Sequence, residues 1–548
     1  MSVRTPVSGG VADVIYAVVG AAVVVCCTFG LRAIPGFVSD QEHSLDESFH
    51  LYYMDEIREA GHRIPSTYSR MLPTNVAAYP ALMHWSLSFL DRRTVERVAH
   101  YFGAVVDTVH VVVVMVLSWW LFDAGLLGTV PPVEGALLAG FVFAVTPRLV
   151  IGRPITSRLW LSARPLGALF VTTSAGLFLL WVETGAWPAF VGAAVLVGAT
   201  FLASLFSTQV LWFLCPTLAL ALGSLTPLGL LVTGFAAALA LSRGWYLTVL
   251  RAHLWHLRYW MRFQFDPEFA SPLTNVLVRA ARGESVREHL LAARPRSVTD
   301  FAKTVYMNPV TGLYLQLPFL VFAGIYAATV ESPSRIAGAL VAWVAFALVV
   351  DLLISLPGLR FLGDADRYAE YVVAPLSAMT VATYYVDLSG VTVPVVGTSL
   401  GPLLPWLLGA AVVYSVALVA FNVYVHTVLS RNSDVPTILS WLQDLPAGQH
   451  VLTVPTSMGK QFLSETDHRY VFYMASFVAS PEGREEYATY FRSFGRPIRD
   501  LATVGDRYDL DYYVFTESAL SGDEYDFSSL SKVFETDEAV VYERRTNE

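Results

Sequence analysis

Two neighbouring acids, Asp46 and Glu47, stand just past the first long apolar run, in the segment Asp40-Gln41-Glu42-His43-Ser44-Leu45-Asp46-Glu47-Ser48-Phe49-His50. A carboxylate held at the rim of an apolar bundle is a candidate general base, able to take the proton of an attacking hydroxyl. The same acids could instead cap a helix-like stretch from Leu51 to Ala60, because carboxylates accept from free N–H groups in a first turn and suit the dipole. Asp55-Glu56 repeats the dipeptide nine residues on and reads as a solvated helix face. Farther along, Tyr79, Pro80 and His84 open a short amphipathic stretch suited to the membrane interface. With His50, Tyr79 and His84 offer hydrogen-bonding groups to a substrate, although a lone His on such a helix is more often structural.

Basic residues gather in separate segments. Arg148, Arg153, Arg158 and Arg164 have no acid among them, and four such charges demand an anion, either lipid headgroups or a phosphate ligand. Arg164 precedes Pro165 at the mouth of an apolar run, so a helix holds it. Arg251, Arg258 and Arg262 share one face of an aromatic-rich stretch that reads as interfacial. In Leu359-Arg360-Phe361-Leu362-Gly363-Asp364-Ala365-Asp366-Arg367-Tyr368-Ala369-Glu370, Arg367 presents the planar fork that suits phosphate oxygens. Pairing with Asp364 or Glu370 is the structural alternative. Arg164 and Arg360 are further phosphate candidates, and Tyr368 a supporting group. Asp107, His110 and Asp351 lie inside apolar runs, where ionisable groups suggest a proton path; an Asp–His pair at i,i+3 instead satisfies itself.

The elements that position these residues are membrane helices. Of 548 residues, 55% are apolar and 15% charged, against about 25% charged in soluble domains, and the mean hydropathy is +0.51. Continuous apolar runs favour helices over a barrel. Runs long enough to span fall near 12–33, 100–122, 133–147, 164–182, 187–205, 207–224, 227–242, 309–330, 335–356, 368–387 and 403–427. That predicts about 11 transmembrane helices. Between Glu183 and Arg243 lie 59 uncharged residues; breaks at Gly185–Pro188, Ser207-Thr208 and Gly223–Pro227 divide them into three helices.

Odd parity puts the tail and the charged loops 38–98, 148–163, 243–308 and 357–367 on one face. The tail, 431–548, carries 20 acids and 11 basic residues, the source of the net charge of −9. Strand-like pieces (Val451–Val454, Tyr470–Tyr473, Tyr512–Phe515, Val540–Tyr542) alternate with helix-like ones (481–494, 497–505), predicting a small α/β domain. An acidic surface disfavours nucleic acid as a partner. Cys26, Cys27 and Cys215 all sit in apolar runs and offer neither disulfide framework nor zinc site. Only three of 36 basic residues are lysines: Lys303, Lys460 and Lys532.

Taken together, Asp46-Glu47 after the first span, Tyr79-Pro80 with His84, Ser162-x-Arg164-Pro165 and Asp366-Arg367-Tyr368 resemble the GT-C glycosyltransferases. The nearer relatives are the polyprenyl- or dolichyl-phosphate-sugar-dependent enzymes of the protein mannosyltransferase and aminoarabinose transferase kind. The resemblance implies a polytopic α-helical membrane protein, with residues 1–430 as the catalytic domain and 431–548 as a soluble α/β domain. It implies catalysis by Asp46 with Glu47, phosphate binding by Arg367, Arg164 and Arg360, and support from His50, His84, Tyr79 and Tyr368. A polyprenyl-phosphate-linked sugar would be the donor, and a glycan, lipid or protein the acceptor. The loops and tail would face the extracytoplasmic side of the cell membrane, although a literal arginine count makes that face cytoplasmic. A divalent cation (Mg or Mn) suits such an acidic loop, but no spacing demands one. The Trp-Trp-Asp-Tyr-Gly signature of oligosaccharyltransferases does not occur, which disfavours block transfer to asparagine. A transporter of lipid-linked sugars and a non-catalytic membrane assembly protein stay open as alternatives.

Overall fold

Long apolar runs become helices because a backbone in hydrocarbon must satisfy its own polar groups. The computed structural model describes residues 11–38, 45–72, 78–150, 160–263, 309–330, 333–355, 359–363, 365–391, 399–429, 435–471, 481–491, 496–520 and 525–545. Helices occupy each of the eleven runs read from the sequence. Six, Val11–Phe37, Phe102–Asp123, Ala163–Thr184, Leu205–Leu222, Arg335–Ile354 and Gly401–Tyr424, are long and apolar enough to cross a bilayer. Pro132–Val145, Trp187–Ala203, Thr226–Leu241 and Leu320–Thr329 are shorter apolar helices. Leu220, Trp406 and Val413 are 85%, 79% and 70% exposed; apolar side chains so placed on apolar helices suit contact with lipid rather than water.

Three helices fill the uncharged stretch. The first stops at Gly185 (φ +71°) and the next restarts at Trp187-Pro188, while Gly223 (φ +57°) ends the helix Leu205–Leu222. The middle break falls at Ser204, not at Ser207-Thr208, because the Ser204 hydroxyl caps the new helix by accepting from Ser207 N at 3.3 Å. Two predicted spans are interrupted. The run 309–330 splits into Pro309–Gln316 and Leu320–Thr329, and the run 368–387 begins as a 3₁₀ segment, Ala365–Val372, before the helix Val373–Tyr385.

Asp107 is met by an arginine from another helix. Arg32 Nε, fully buried on the first helix, donates to Asp107 Oδ2 at 3.2 Å, while its terminal nitrogens donate to Ala144 O (2.6 Å) and Phe143 O (3.3 Å). One guanidinium thus answers both an acid and the last carbonyls of Pro132–Val145. His110 shares a hydrogen bond with Thr172 Oγ1 at 2.9 Å. Removing one partner of a buried pair leaves a charge uncompensated. Asp107→Asn is therefore expected to cost about 3–5 kcal/mol, read as a lowered thermal midpoint in detergent, with much of the loss recovered in Arg32→Met/Asp107→Leu.

The tail forms a six-stranded sheet from β1 (Met71–Leu72), β2 (His450–Val454), β3 (Arg469–Val471), β4 (Tyr512–Thr516), β5 (Leu530–Glu535) and β6 (Ala539–Arg544), in the order β1-β3-β2-β4-β6-β5. The α/β reading of 431–548 is thereby extended, since β1 belongs to the first charged loop and pairs in parallel with β3, Met71 opposite Tyr470. Alternation sorts the two faces of the sheet. Val451, Tyr470, Val514 and Val541 pack with Phe49, Tyr52, Tyr53 and Ile57 of the acidic helix, Leu45–Glu59. Leu452, Tyr513 and Phe515 pack the other way, against Tyr487 and Phe491 and against Leu501, Val504 and Tyr508. The acidic helix is thus roofed by the sheet, while its Leu51 and Met54 meet Met83, Val95, Ala99 and Leu161.

Candidate active site

The acidic helix starts at Leu45 rather than near Leu51, so Asp46 and Glu47 lie in its first turn. Glu47 is fully buried; the side chain of Asp46 lies outside the described residues. Helical spacing puts Asp46, Glu47 and His50 on one side of the helix. There His50 Nδ1 shares a 2.8 Å hydrogen bond with His84 Nε2, and the ring of Tyr79 stands 6.1 and 5.7 Å from the two imidazoles. Residues predicted from two separate motifs therefore form one cluster. Burial, and then the neighbouring His50, hold the His84 imidazole well below its ordinary range, so it is neutral. Glu56, expected on a solvated face, is buried and accepts from Ser69 N at 3.1 Å and from its hydroxyl. Asp55 pairs with Arg58 and Arg92.

The arginine end is organised by the 3₁₀ segment Ala365–Val372. With three residues per turn, i and i+3 stack along one edge, so Tyr368 and Tyr371 share an edge and Arg367 and Glu370 another. Tyr368 Oη donates to Gln209 Oε1 at 2.7 Å, and Tyr371 Oη lies 2.8 Å from Ser207 Oγ, fixing the first edge to Leu205–Leu222. Arg367 lies over the ring of Phe206, 4.6 Å from its centroid. The negative face of the ring attracts the guanidinium charge and helps hold it in place.

Glu370 answers the arginines that have no acid near them in sequence. It accepts from Arg164 Nη2 and, at 3.2 Å, from Arg148 Nη2, and Arg148 also donates to Gln316. All three charged side chains are buried. Arg153 and Arg158, and the side chains of Arg262 and Arg360, lie outside the described residues.

Sequence reasoning missed the groups that join these two ends. Gln209 Nε2 stands 3.0 Å from His253 Nε2. Because the Gln209 oxygen accepts from Tyr368, its amide nitrogen donates to the imidazole, which must be neutral there. Burial, and then His256, lower His253 to about 3; burial, and then the charge of Lys460, lower His256 to about 4. Lys460 belongs to the tail segment Thr456–Gln461, whose Gln461 O accepts from Ser48 Oγ at 2.9 Å. Hydrogen bonds thus join His253 through Gln209 to Tyr368, beside Arg367, and the charge of Lys460, next to the Gln461 that Ser48 meets, is felt at His256 one turn along the same helix. The i,i+3 histidines were visible, but their helix reads as interfacial in sequence.

These histidines make stability depend on pH. The unfolded chain takes up their protons near pH 6.5, whereas the folded chain holds both neutral until about 4 and 3. Between those values the unfolded state binds more protons, so stability falls as pH falls. The unfolding midpoint is expected to drop progressively below pH 6.5, and His256→Gln to flatten that drop in a pH series of thermal melts.

Among the described residues no three His, Cys, Asp or Glu side chains converge on a point that could hold a metal ion. No chemical step is assigned to a cation.

No family model matches the chain, and no curated protein matches it in sequence. Solved structures do. The oligosaccharyltransferase AglB of the archaeon Archaeoglobus fulgidus, in complex with an inhibitory peptide and a dolichol-phosphate, superposes with a TM-score of 0.56 at 13% identity over 92% of this chain and 70% of that one. An oligosaccharyltransferase of Archaeoglobus fulgidus in complex with Zn and sulfate gives 0.52 at 12% over 91% and 68%. ArnT from Cupriavidus metallidurans, bound to undecaprenyl phosphate, gives 0.50 at 12% over 96% and 97%. At these identities the likeness is one of fold: the chain shares the architecture of these two transferases over most of its length.

Proposed function

We propose that the protein is an inverting glycosyltransferase of the membrane that moves a sugar from a polyprenyl (dolichyl) phosphate to an acceptor hydroxyl on the extracytoplasmic face. The observation that carries this reading is the chain of neighbours from Ser48, beside Glu47, through Lys460, His256, His253 and Gln209 to Tyr368 and Arg367. On this reading the candidate base and the candidate phosphate cradle stand toward opposite ends of that series of residues, with the reacting carbon between them. Asp46 removes the acceptor proton while the acceptor oxygen bonds to the anomeric carbon. The bond from that carbon to phosphate breaks, its electron pair leaves on the phosphate oxygen, and configuration inverts. Arg367, backed by Arg164 and Arg360, stabilises the charge that develops on phosphate, and in many enzymes such preorganised stabilisation supplies most of the rate enhancement. Glu47 orients Asp46 or shares its role. His50, His84 and Tyr79 hold the acceptor and Tyr368 braces Arg367. The likeness to enzymes solved with dolichol-phosphate and undecaprenyl phosphate supports the donor class.

The rival transporter reading draws on basic loops and on intramembrane Asp107 and Asp351; the buried bond between Asp107 and Arg32 weighs against Asp107 as a mobile proton carrier. The test is sugar release from a panel of polyprenyl-phosphate sugars by purified wild type and by Asp46→Asn. Turnover that collapses in the variant supports the enzyme. Failure with every donor, together with movement of lipid-linked sugar in liposomes, would replace it with the transporter.

A further inference from the structure

We propose that the helix Tyr246–Phe263 docks on the anionic headgroups of the surrounding lipid leaflet, through an outward stripe in which apolar side chains alternate with arginines. The chain reaches this helix straight from a membrane segment. The apolar helix Thr226–Leu241 ends in a tight turn, where Arg243 (φ +50°) and Gly244 (φ +87°) take left-handed backbone and Gly244 N donates to Leu239 O at 2.8 Å. The next helix starts two residues past that bend, where the apolar segment gives out.

Contacts on its inner face decide which side points out. Tyr246 stacks on Phe201 with ring centroids 5.5 Å apart, His253 stacks on Trp212 at 5.0 Å, and the same imidazole stands 3.0 Å from Gln209 Nε2. With Val249 and Leu257 also buried, one side of the helix is fastened to Trp187–Ala203 and Leu205–Leu222. The helical period then sets the opposite side. It carries Leu247, Arg251, Leu254, Arg258 and Met261, all of them exposed.

The make-up of that stripe names its partner. Leu247, Leu254 and Met261 leave water by entering the acyl boundary, while the arginines between them reach the headgroups, as on an interfacial helix. The ring of Trp255 holds the Arg258 guanidinium, 5.2 Å from its centroid, against the helix surface. No acid occurs from Thr184 to Phe265, and among the described residues neither Arg251 nor Arg258 pairs with one. Exposed positive charge without a protein counterion complements an anionic lipid surface.

The test follows hydrogen exchange of the amides of 246–258 in the full-length protein, in nanodiscs of phosphatidylcholine alone or with phosphatidylglycerol. Each arginine at an anionic surface contributes about fivefold, so phosphatidylglycerol is expected to slow this exchange about tenfold or more and to leave Phe102–Asp123 unchanged. Arg251→Gln/Arg258→Gln should exchange alike in the two lipids and melt near the wild type, whereas Arg251→Lys/Arg258→Lys should keep the difference. Equal exchange of the wild type in both lipids would overturn the proposal, as would a difference that survives in the glutamine variant. Inorganic phosphate that slows exchange in phosphatidylcholine alone would show a soluble-anion site instead. Protection that follows the number of copies per disc rather than lipid charge would give the stripe to a second copy of the chain. Either result overturns the headgroup assignment.

Discussion

Asp46→Asn is expected to reduce sugar transfer by about 10²–10⁴-fold, the range that a positioned general base supplies, while affinity for polyprenyl phosphate stays within a few-fold of wild type. The substitution keeps size and shape in a first turn, so a large loss reports chemistry rather than folding. The pH–rate profile divides the work between the two acids. If Asp46 is the base, the acidic limb disappears in Asp46→Asn but is only displaced in Glu47→Gln, whose buried side chain then acts through its neighbour. Turnover within twofold of wild type in both variants would sink the assignment.

Arg367→Gln is expected to lower kcat/KM for the lipid-linked donor by about 10²–10³-fold, comparable to removing one donor from an oxyanion site. Arg367→Lys should fall between, since it keeps the charge but loses the fork and the stacking on Phe206. Phe206→Leu separates those contributions, because it removes the ring and leaves the guanidinium. A donor kcat/KM unchanged in Arg367→Gln would mean that the arginine serves packing at this mouth and not phosphate.

Apolar length was enough to read the helices, since hydrocarbon imposes a constraint that each segment meets by itself. Turn chemistry was nearly enough to divide 184–242, but it could not prefer Ser204 over Ser207, because both hydroxyls suit a cap. Strands β2, β3, β4 and β6 were legible as runs of buried Val and Tyr. β5 was not, because its side chains are largely exposed and charged along an outer edge, and the two-residue β1 carries no pattern at all. In the site, the motif residues on the acidic helix and beyond it were legible because their types are chemically distinctive. The Arg164 and Arg148 bonds to Glu370 were not, since their partner lies 206 and 222 residues away and sequence spacing has no reach over such distances. Gln209 and His253 were hidden for a related reason: a Gln in an apolar run becomes informative only when Tyr368 meets it.

Met71 pairing with Tyr470 ties the two ends of the polypeptide's working face into one sheet. Every membrane helix between them must be inserted before that ladder can close. Until then Phe49, Tyr52 and Tyr53 of the acidic helix lack their roof of Val451, Tyr470 and Val514, and the turn bearing Glu47 has nothing to hold Ser48 in place. Competence is therefore the last event in the life of a newly made chain. A polypeptide stalled before Arg469 could carry nearly all the helices of its finished sister and still present no assembled site, so partly built copies would occupy the membrane as inert precursors.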